Sequence, residues 1–101
     1  MSKKDKKALF SHLVNLISHI IKWSIQPWER AASWINTIKN SRKAISDILK
    51  KNPSFKNLID EDIPDAFREG TKDAEKETGL KSTKKDITKK ELFDDDYKLD
   101  E

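Results

Sequence analysis

The chain has no cysteine. Disulfide staples, thiolate zinc sites and thiol nucleophiles are excluded at once. Glycine is nearly as scarce, at two in 101 residues, so there is no glycine-rich loop to cradle a phosphate. Long apolar runs are missing as well. The most apolar stretch, Leu9 to Ile25, is interrupted by Ser11, His12, Asn15, Ser18, His19 and Lys22, whereas a membrane span needs about 20 mostly apolar residues. The start, Lys3, Lys4, Lys6 and Lys7 ahead of an apolar run, imitates a signal peptide. Its polar interruptions and the lack of a small-residue cleavage site argue against one.

What the chain has in quantity is charge. Charged residues make up 39% and hydrophobic ones 35%, below the globular norm of roughly 45–50%. A chain of this length forms one domain at most and has a thin stability margin. Part of it is expected to fray, or to lean on a partner. The net charge of +3 also conceals a split. Residues 1–51 hold eleven Lys/Arg against three Asp/Glu, and residues 52–101 hold ten against fifteen. Two halves of opposite sign suit contact with each other, or antiparallel pairing of two chains, better than the single basic face of a nucleic-acid binder.

Helical periodicity dominates the first half. Leu9, Leu13, Leu16, Ile20 and Trp23 recur at steps of three and four, and a second stripe, Phe10, Val14, Ile17 and Ile21, runs beside them. Together they form an apolar face wider than a two-helix seam needs. His12, Asn15, His19, Lys22 and Gln26 are placed on the polar side. Gln26-Pro27 breaks the helix, and a second helix is predicted from about Pro27 to Lys51. Its apolar face carries Trp28, Ala31, Ile35, Ile38, Ile45 and Leu49. Arg42 falls on that face, where its stem can pack while its guanidinium seeks a carboxylate.

Asn52-Pro53-Ser54 is the next break. Phe55, Leu58, Ile59 and Ile63 resume the period, and Pro64 predicts a kink or a fresh helix starting near Asp62. That last helix uses Ala66, Phe67, Gly70 and Ala74. It ends at Glu77-Thr78-Gly79-Leu80, a glycine cap followed by a hydrophobic residue. The expected organisation is a helical bundle over 1–80 and a charged tail over 81–101. Within the tail, Thr88 and Glu91 form a capping-box pattern for a short helix near 88–97. The fold class is all-α: a small antiparallel bundle of three to four helices with a frayed basic N-terminus and an acidic C-terminal tail.

Few residues suggest chemistry. His12 and His19 lie two turns apart, about 10 Å along a helix, too far to share one metal ion. Glu61, Asp62, Asp65 and Glu69 cluster around Pro64, where acids offset a helix dipole; without a pocket to separate their pKa values they do no acid–base work. Asp94-Asp95-Asp96 lacks the spaced ligands of a calcium loop. No catalytic residue, cofactor or metal site is expected. Trp23, Trp28 and Trp34 are more informative, since three tryptophans around one bend either fill the corner of the core or anchor an interface.

The succession Ser11-His12-Leu13, Trp34-Ile35-Asn36-Thr37-Ile38 with Arg42, Asn52-Pro53-Ser54-Phe55, Ala66-Phe67 and Glu77-Thr78-Gly79-Leu80 resembles a bacterial family. It is known as domain of unknown function twenty-nine, and the likeness covers roughly residues 8–97. The family is all-helical, and the resemblance implies no activity or cofactor. Members usually carry a further helical segment ahead of the stretch matching Leu9, and a proline- and cysteine-containing loop where this chain has Lys81 to Thr88. Without that segment, the second stripe of the first helix is expected to face a partner. The chain also resembles small effector proteins of intracellular bacterial pathogens that inhibit ubiquitin deamidases, one of them also a transglutaminase. The acidic C-terminal stretch would suit a secretion signal.

These features lead to the expectation of a non-enzymatic protein-binding regulator, an inhibitor of a partner enzyme, whose partner is another protein, a second copy of itself as a homodimer, or both. It would reside in the bacterial cytoplasm or be secreted into a host cell. The candidate interface comprises Phe10, Val14, Ile17, Ile21, Trp23, Trp28, Trp34 and Arg42. The alternative is a helical binder of nucleic acid or anionic membranes working through the basic half.

Overall fold

A computed structural model describes residues 3–98. Three long helices follow one another: α1 (Lys3–Ile25), α2 (Ala32–Lys51) and α3 (Lys56–Thr78). Two 3-10 turns, Pro27–Glu29 and Pro53–Phe55, join them, and a five-residue π turn, Lys90–Asp94, follows later. No strand occurs among the described residues. The all-α bundle expected from the periodicity is what forms.

The wide apolar face of α1 explains the arrangement. α1 packs on both α2 and α3, which scarcely touch each other directly. Asn52 Nδ2 donates to Asp5 Oδ2 at 3.0 Å, so the end of α2 lies beside the start of α1 and the two run antiparallel. Ile17 lies against Gly70, and Lys22 pairs with Glu77, so α1 and α3 run parallel. A central helix must be apolar on two sides. Leu9, Leu13, Leu16, Ile17 and Ile21 are all fully buried, each contributing about 1.5–3 kcal/mol relative to exposure. α2 adds Ile38 and Ile45, and α3 adds Ile59, Ala66 and Ala74.

Small residues set the spacing of α1 and α3. Ala66, Gly70 and Ala74 recur every fourth position on the buried side of α3. A Cβ built on Gly70 would sit 2.8 Å from Ile17 Cγ2 and 3.1 Å from the backbone nitrogen of Ser18. Glycine is what allows this approach.

Several boundaries differ from those predicted. α1 is already helical at Lys3, and Asp5 is held by Asn52 rather than frayed; Met1 and Ser2 lie outside the described residues. α2 begins at Ala32, not at Pro27. Pro27 does start a turn, but Arg30 is extended (φ −56°, ψ 131°) and separates that turn from the helix. The side chain of Arg30 fixes this detour: its Nε donates to the Trp23 carbonyl at 3.0 Å, and its guanidinium lies 4.6 Å from the centre of the Trp23 ring.

Pro64 breaks nothing: α3 is continuous from Lys56 to Thr78. A proline removes one N–H and crowds the carbonyl four residues before it. Here both Pro64 and Asp60 are exposed, so water can satisfy that carbonyl. Ile59 and Ala66, buried on either side, keep the helix axis on α1. The far end follows expectation. Gly79 is left-handed (φ 71°), and its N–H bonds the Glu75 carbonyl at 2.9 Å.

Residues beyond 80 return to the bundle. Thr88 and Glu91 form the reciprocal capping box: the Thr88 N–H bonds Glu91 Oε1 at 3.1 Å, and the Glu91 N–H bonds Thr88 Oγ1 at 3.2 Å. The segment then buries Leu92 completely and Ile87 almost so, both within the main core cluster. A Lys84–Glu91 ion pair closes its near side. This stretch is thus part of the core, although the sequence marks it as a charged tail. Leu99, Asp100 and Glu101, the end of that tail, lie outside the described residues.

Candidate protein interface

The eight residues proposed for an interface separate into three groups. Ile17 and Ile21 are fully buried. Ile17 packs against Gly70 of α3, and both isoleucines lie within the core cluster, so the expectation that the whole second stripe faces a partner is corrected. The width of the stripe serves the third helix of the chain itself. Phe10 and Val14, two turns and one turn before Ile17, are half-buried. They form the floor of an open groove of about 720 Å³ between α1 and α3.

The tryptophans do not form one patch. Trp23 is 7% exposed and packs edge-on against Tyr97, centroids 5.7 Å apart and planes at 78°. Trp34 is half-buried, with the Lys22 ammonium 5.4 Å from its ring centre. Trp28, in the 3-10 turn, is 69% exposed, the one large apolar side chain so exposed among the described residues. Of the three, only Trp28 is presented outward.

Arg42 is committed to the fold. Its Nε donates to the Leu92 carbonyl at 2.6 Å, and one terminal nitrogen donates to the carbonyls of Asp95 at 2.8 Å and Glu91 at 3.2 Å. The guanidinium lies 5.5 Å from the Tyr97 ring centre. The expected carboxylate partner is therefore replaced by three backbone carbonyls, the orphan acceptors at the end of a short helical turn. Tyr97 completes the clasp by donating to the Glu91 carbonyl at 2.8 Å. Burial, aided by Asp95, pushes the Tyr97 phenol from 10.0 up to about 12.

Lys22 was assigned to the polar side of α1 and is instead buried. Side chains from all three helices converge on it. Its ammonium donates to Glu77 Oε2 at 2.7 Å and lies 3.4 Å from His19 Nε2. Because an ammonium can only donate, Nε2 must accept, and Nδ1–H then donates to the Asn15 carbonyl at 2.9 Å. This arrangement suits the neutral Nδ1–H tautomer of His19. Burial lowers its pKa, with Lys22 adding to the effect. The hydrogen bond from Lys22 lowers the pKa of Glu77.

One feature of the groove was missed in the sequence. Asp65, Glu69, Asp73 and Glu77 recur every fourth residue and line its α3 wall. Cutting the helix at Pro64 obscured this period, because it assigned Asp65 and Glu69 to a helix start. Read through to Glu77, the spacing gives the row directly. Asp65 pairs with Arg68 at 3.2 Å and Glu77 with Lys22. Glu69 and Asp73 have no ion-pair partner among the described residues. At the Asp65 end the groove runs on past Leu58 and Asp62. Burial there, together with Glu61 and Asp65, raises the Asp62 pKa.

No group of three or more His, Asp or Glu able to hold a metal ion occurs among the described residues. No helix among them is long and apolar enough to cross a membrane.

The fold is a small all-helical bundle with an open groove between α1 and α3. The model of one protein family, described as "Domain of unknown function DUF29", matches residues 1–98, and the chain belongs to that family. No curated protein and no solved structure matches it.

Proposed function

We propose that this protein is a non-enzymatic protein-binding regulator that acts by occupying a partner enzyme, and that its contact face is the α1–α3 groove. The observation that supports this reading is the groove itself: Phe10 and Val14 line it half-buried, whereas Leu9, Leu13, Leu16 and Ile17 on the same helix are fully buried. An apolar floor beside a charged wall is the usual anatomy of an interface. Bacterial ubiquitin deamidases are the candidate targets, on the strength of the sequence resemblance to their inhibitors.

The test replaces Phe10 with a photo-crosslinking phenylalanine analogue. The labelled protein is irradiated with a purified bacterial ubiquitin deamidase, and deamidation is assayed with and without it. The expected result is a one-to-one adduct and loss of deamidation that Val14→Asp abolishes. Deamidation at full rate with no adduct excludes this enzyme class. An absence of any adduct in lysates of the native host as well removes the protein-binding reading.

A further inference from the structure

We propose that the α1–α3 groove takes a basic amphipathic helix of the partner protein. This rests on the protein-binding reading and specifies the chemistry of what binds.

The charge of the groove wall sets the sign of the partner. Like charges four residues apart on a helix are destabilising by about 0.2–0.5 kcal/mol per pair, and α3 accepts three such pairs in succession from Asp65 to Glu77. Lys22 and Arg68 pair with the outer two carboxylates, while the inner two, Glu69 and Asp73, line the groove beside Arg68 with no ion-pair partner among the described residues. A basic ligand would relieve that repulsion.

The floor sets the other half of the specification. Phe10 and Val14 lie beneath this wall, so a ligand carrying only charge would leave them in water. The ligand needs an apolar stripe beside its basic one. The row spans twelve residues of α3, about 18 Å, which is about three turns of a docked helix. A helix also meets its own backbone hydrogen bonds, whereas an extended peptide lying on an apolar floor would find no sheet edge here to pair with.

A second copy of the chain fits less well. Among the exposed positions of α2, Lys39, Lys43, Lys50 and Lys51 offer charge, but the others are Ala32, Ser33, Asn36, Asn40, Ser46 and Asp47. That helix matches the charge and brings nothing apolar larger than Ala32 to Phe10 and Val14. The geometry therefore favours a helix from another protein.

The probe is a synthetic 18-residue peptide with leucine at heptad spacing and lysine at every fourth position along one flank. Its controls are the same peptide with glutamate for lysine and a shuffled peptide of identical composition. Binding is followed by fluorescence anisotropy, with amide shifts of the 15N-labelled protein as the site readout. The expected result is binding of the lysine peptide alone, with shifts at Phe10, Val14, Glu69 and Asp73. Glu69→Lys with Asp73→Lys should weaken it at least tenfold. Glu69→Gln with Asp73→Asn should weaken it severalfold, which covers the case in which charge reversal disturbs folding.

Equal binding of the glutamate or shuffled peptide overturns the proposal, as does full affinity in the neutral variant. So does a dimer of the protein alone that dissociates in that variant, since the groove would then hold a second copy. A partner cross-linked at position 10 through an acidic or extended segment defeats this inference and leaves the protein-binding reading intact. Failure of every peptide, with no cross-link, defeats both.

Discussion

Arg42 Nε donates to the carbonyl oxygen of Leu92 at 2.6 Å, fifty residues along the chain. With the bonds to Glu91 and Asp95, one side chain of α2 holds the whole C-terminal turn over the core. Hydrogen bonds from a charged donor contribute more than neutral ones, and a carbonyl left unpaired costs further. Arg42→Ala should therefore destabilise the protein by about 2–3 kcal/mol in urea unfolding. Arg42→Lys should recover less than half of that, because an ammonium cannot reach three carbonyls in one plane. In hydrogen exchange, the amides of Leu92 and Asp95 should lose protection before those of α1.

Gly70→Ala is expected to destabilise although alanine is the better helix former. The added Cβ would sit 2.8 Å from Ile17 Cγ2, and overpacking of this kind costs typically 1–3 kcal/mol. Ile17→Ala removes that methyl group and opens a cavity, at about 2–5 kcal/mol. The double variant should be more stable than the sum of the two single losses implies. A thermal-melt cycle that showed strict additivity would mean that α1 and α3 do not meet at this point.

The pH dependence near neutrality should come from His19. Its folded pKa lies below the ordinary histidine value of 6.5 because burial opposes the imidazolium. The unfolded chain therefore takes up a proton first as pH falls. Stability is full above 6.5 and declines as pH drops from there towards the folded pKa. Glu77, lowered by the hydrogen bond from Lys22, acts in a separate window: its contribution is lost only as pH falls below about 4.5 towards its own folded value. His19→Gln keeps an acceptor for Lys22 and should flatten the slope between pH 7 and 5.5 in denaturation midpoints.

Tyr97 offers a direct optical check, since it is the one tyrosine in the chain. Its phenolate absorbance should appear near pH 12 rather than 10 in the folded protein. Because the folded pKa is the higher one, the contribution of Tyr97 to stability is complete below pH 10 and is lost as pH rises from 10 towards 12. Tyr97→Phe gives up the bond to Glu91 and should cost about 1 kcal/mol. A normal phenol titration in folded protein would show that the ring is not clasped between Trp23 and Arg42.

Much of the fold was legible in the sequence. The apolar period of Leu9 to Ile21, the glycine cap at Gly79 and the Thr88–Glu91 capping box are local patterns, and each forms where its spacing places it. What failed depended on neighbours. Pro64 breaks an isolated helix, but here Ile59 and Ala66 anchor both sides of it on α1. Lys22 looks like a polar-face residue until Trp34 and Glu77 arrive from two other helices. For the candidate site, Phe10 and Val14 are half-buried and line the groove. Ile17 and Ile21 belong to the same stripe, and nothing in the stripe reveals that Gly70 lets α3 cover only its later half.

The placement of Leu92 bears on how the chain acquires its structure during synthesis. When translation has reached Gly79, all three long helices exist, yet the side chain that seals them and the carbonyls that hold Arg42 are still unmade. Until then Ile45 and Ile59, which share the core cluster with Leu92, lack part of their apolar cover. Premature termination in the lysine-rich stretch would yield a protein with all its helices and an unfinished core, and thus a substrate for quality-control proteolysis rather than a shorter working version.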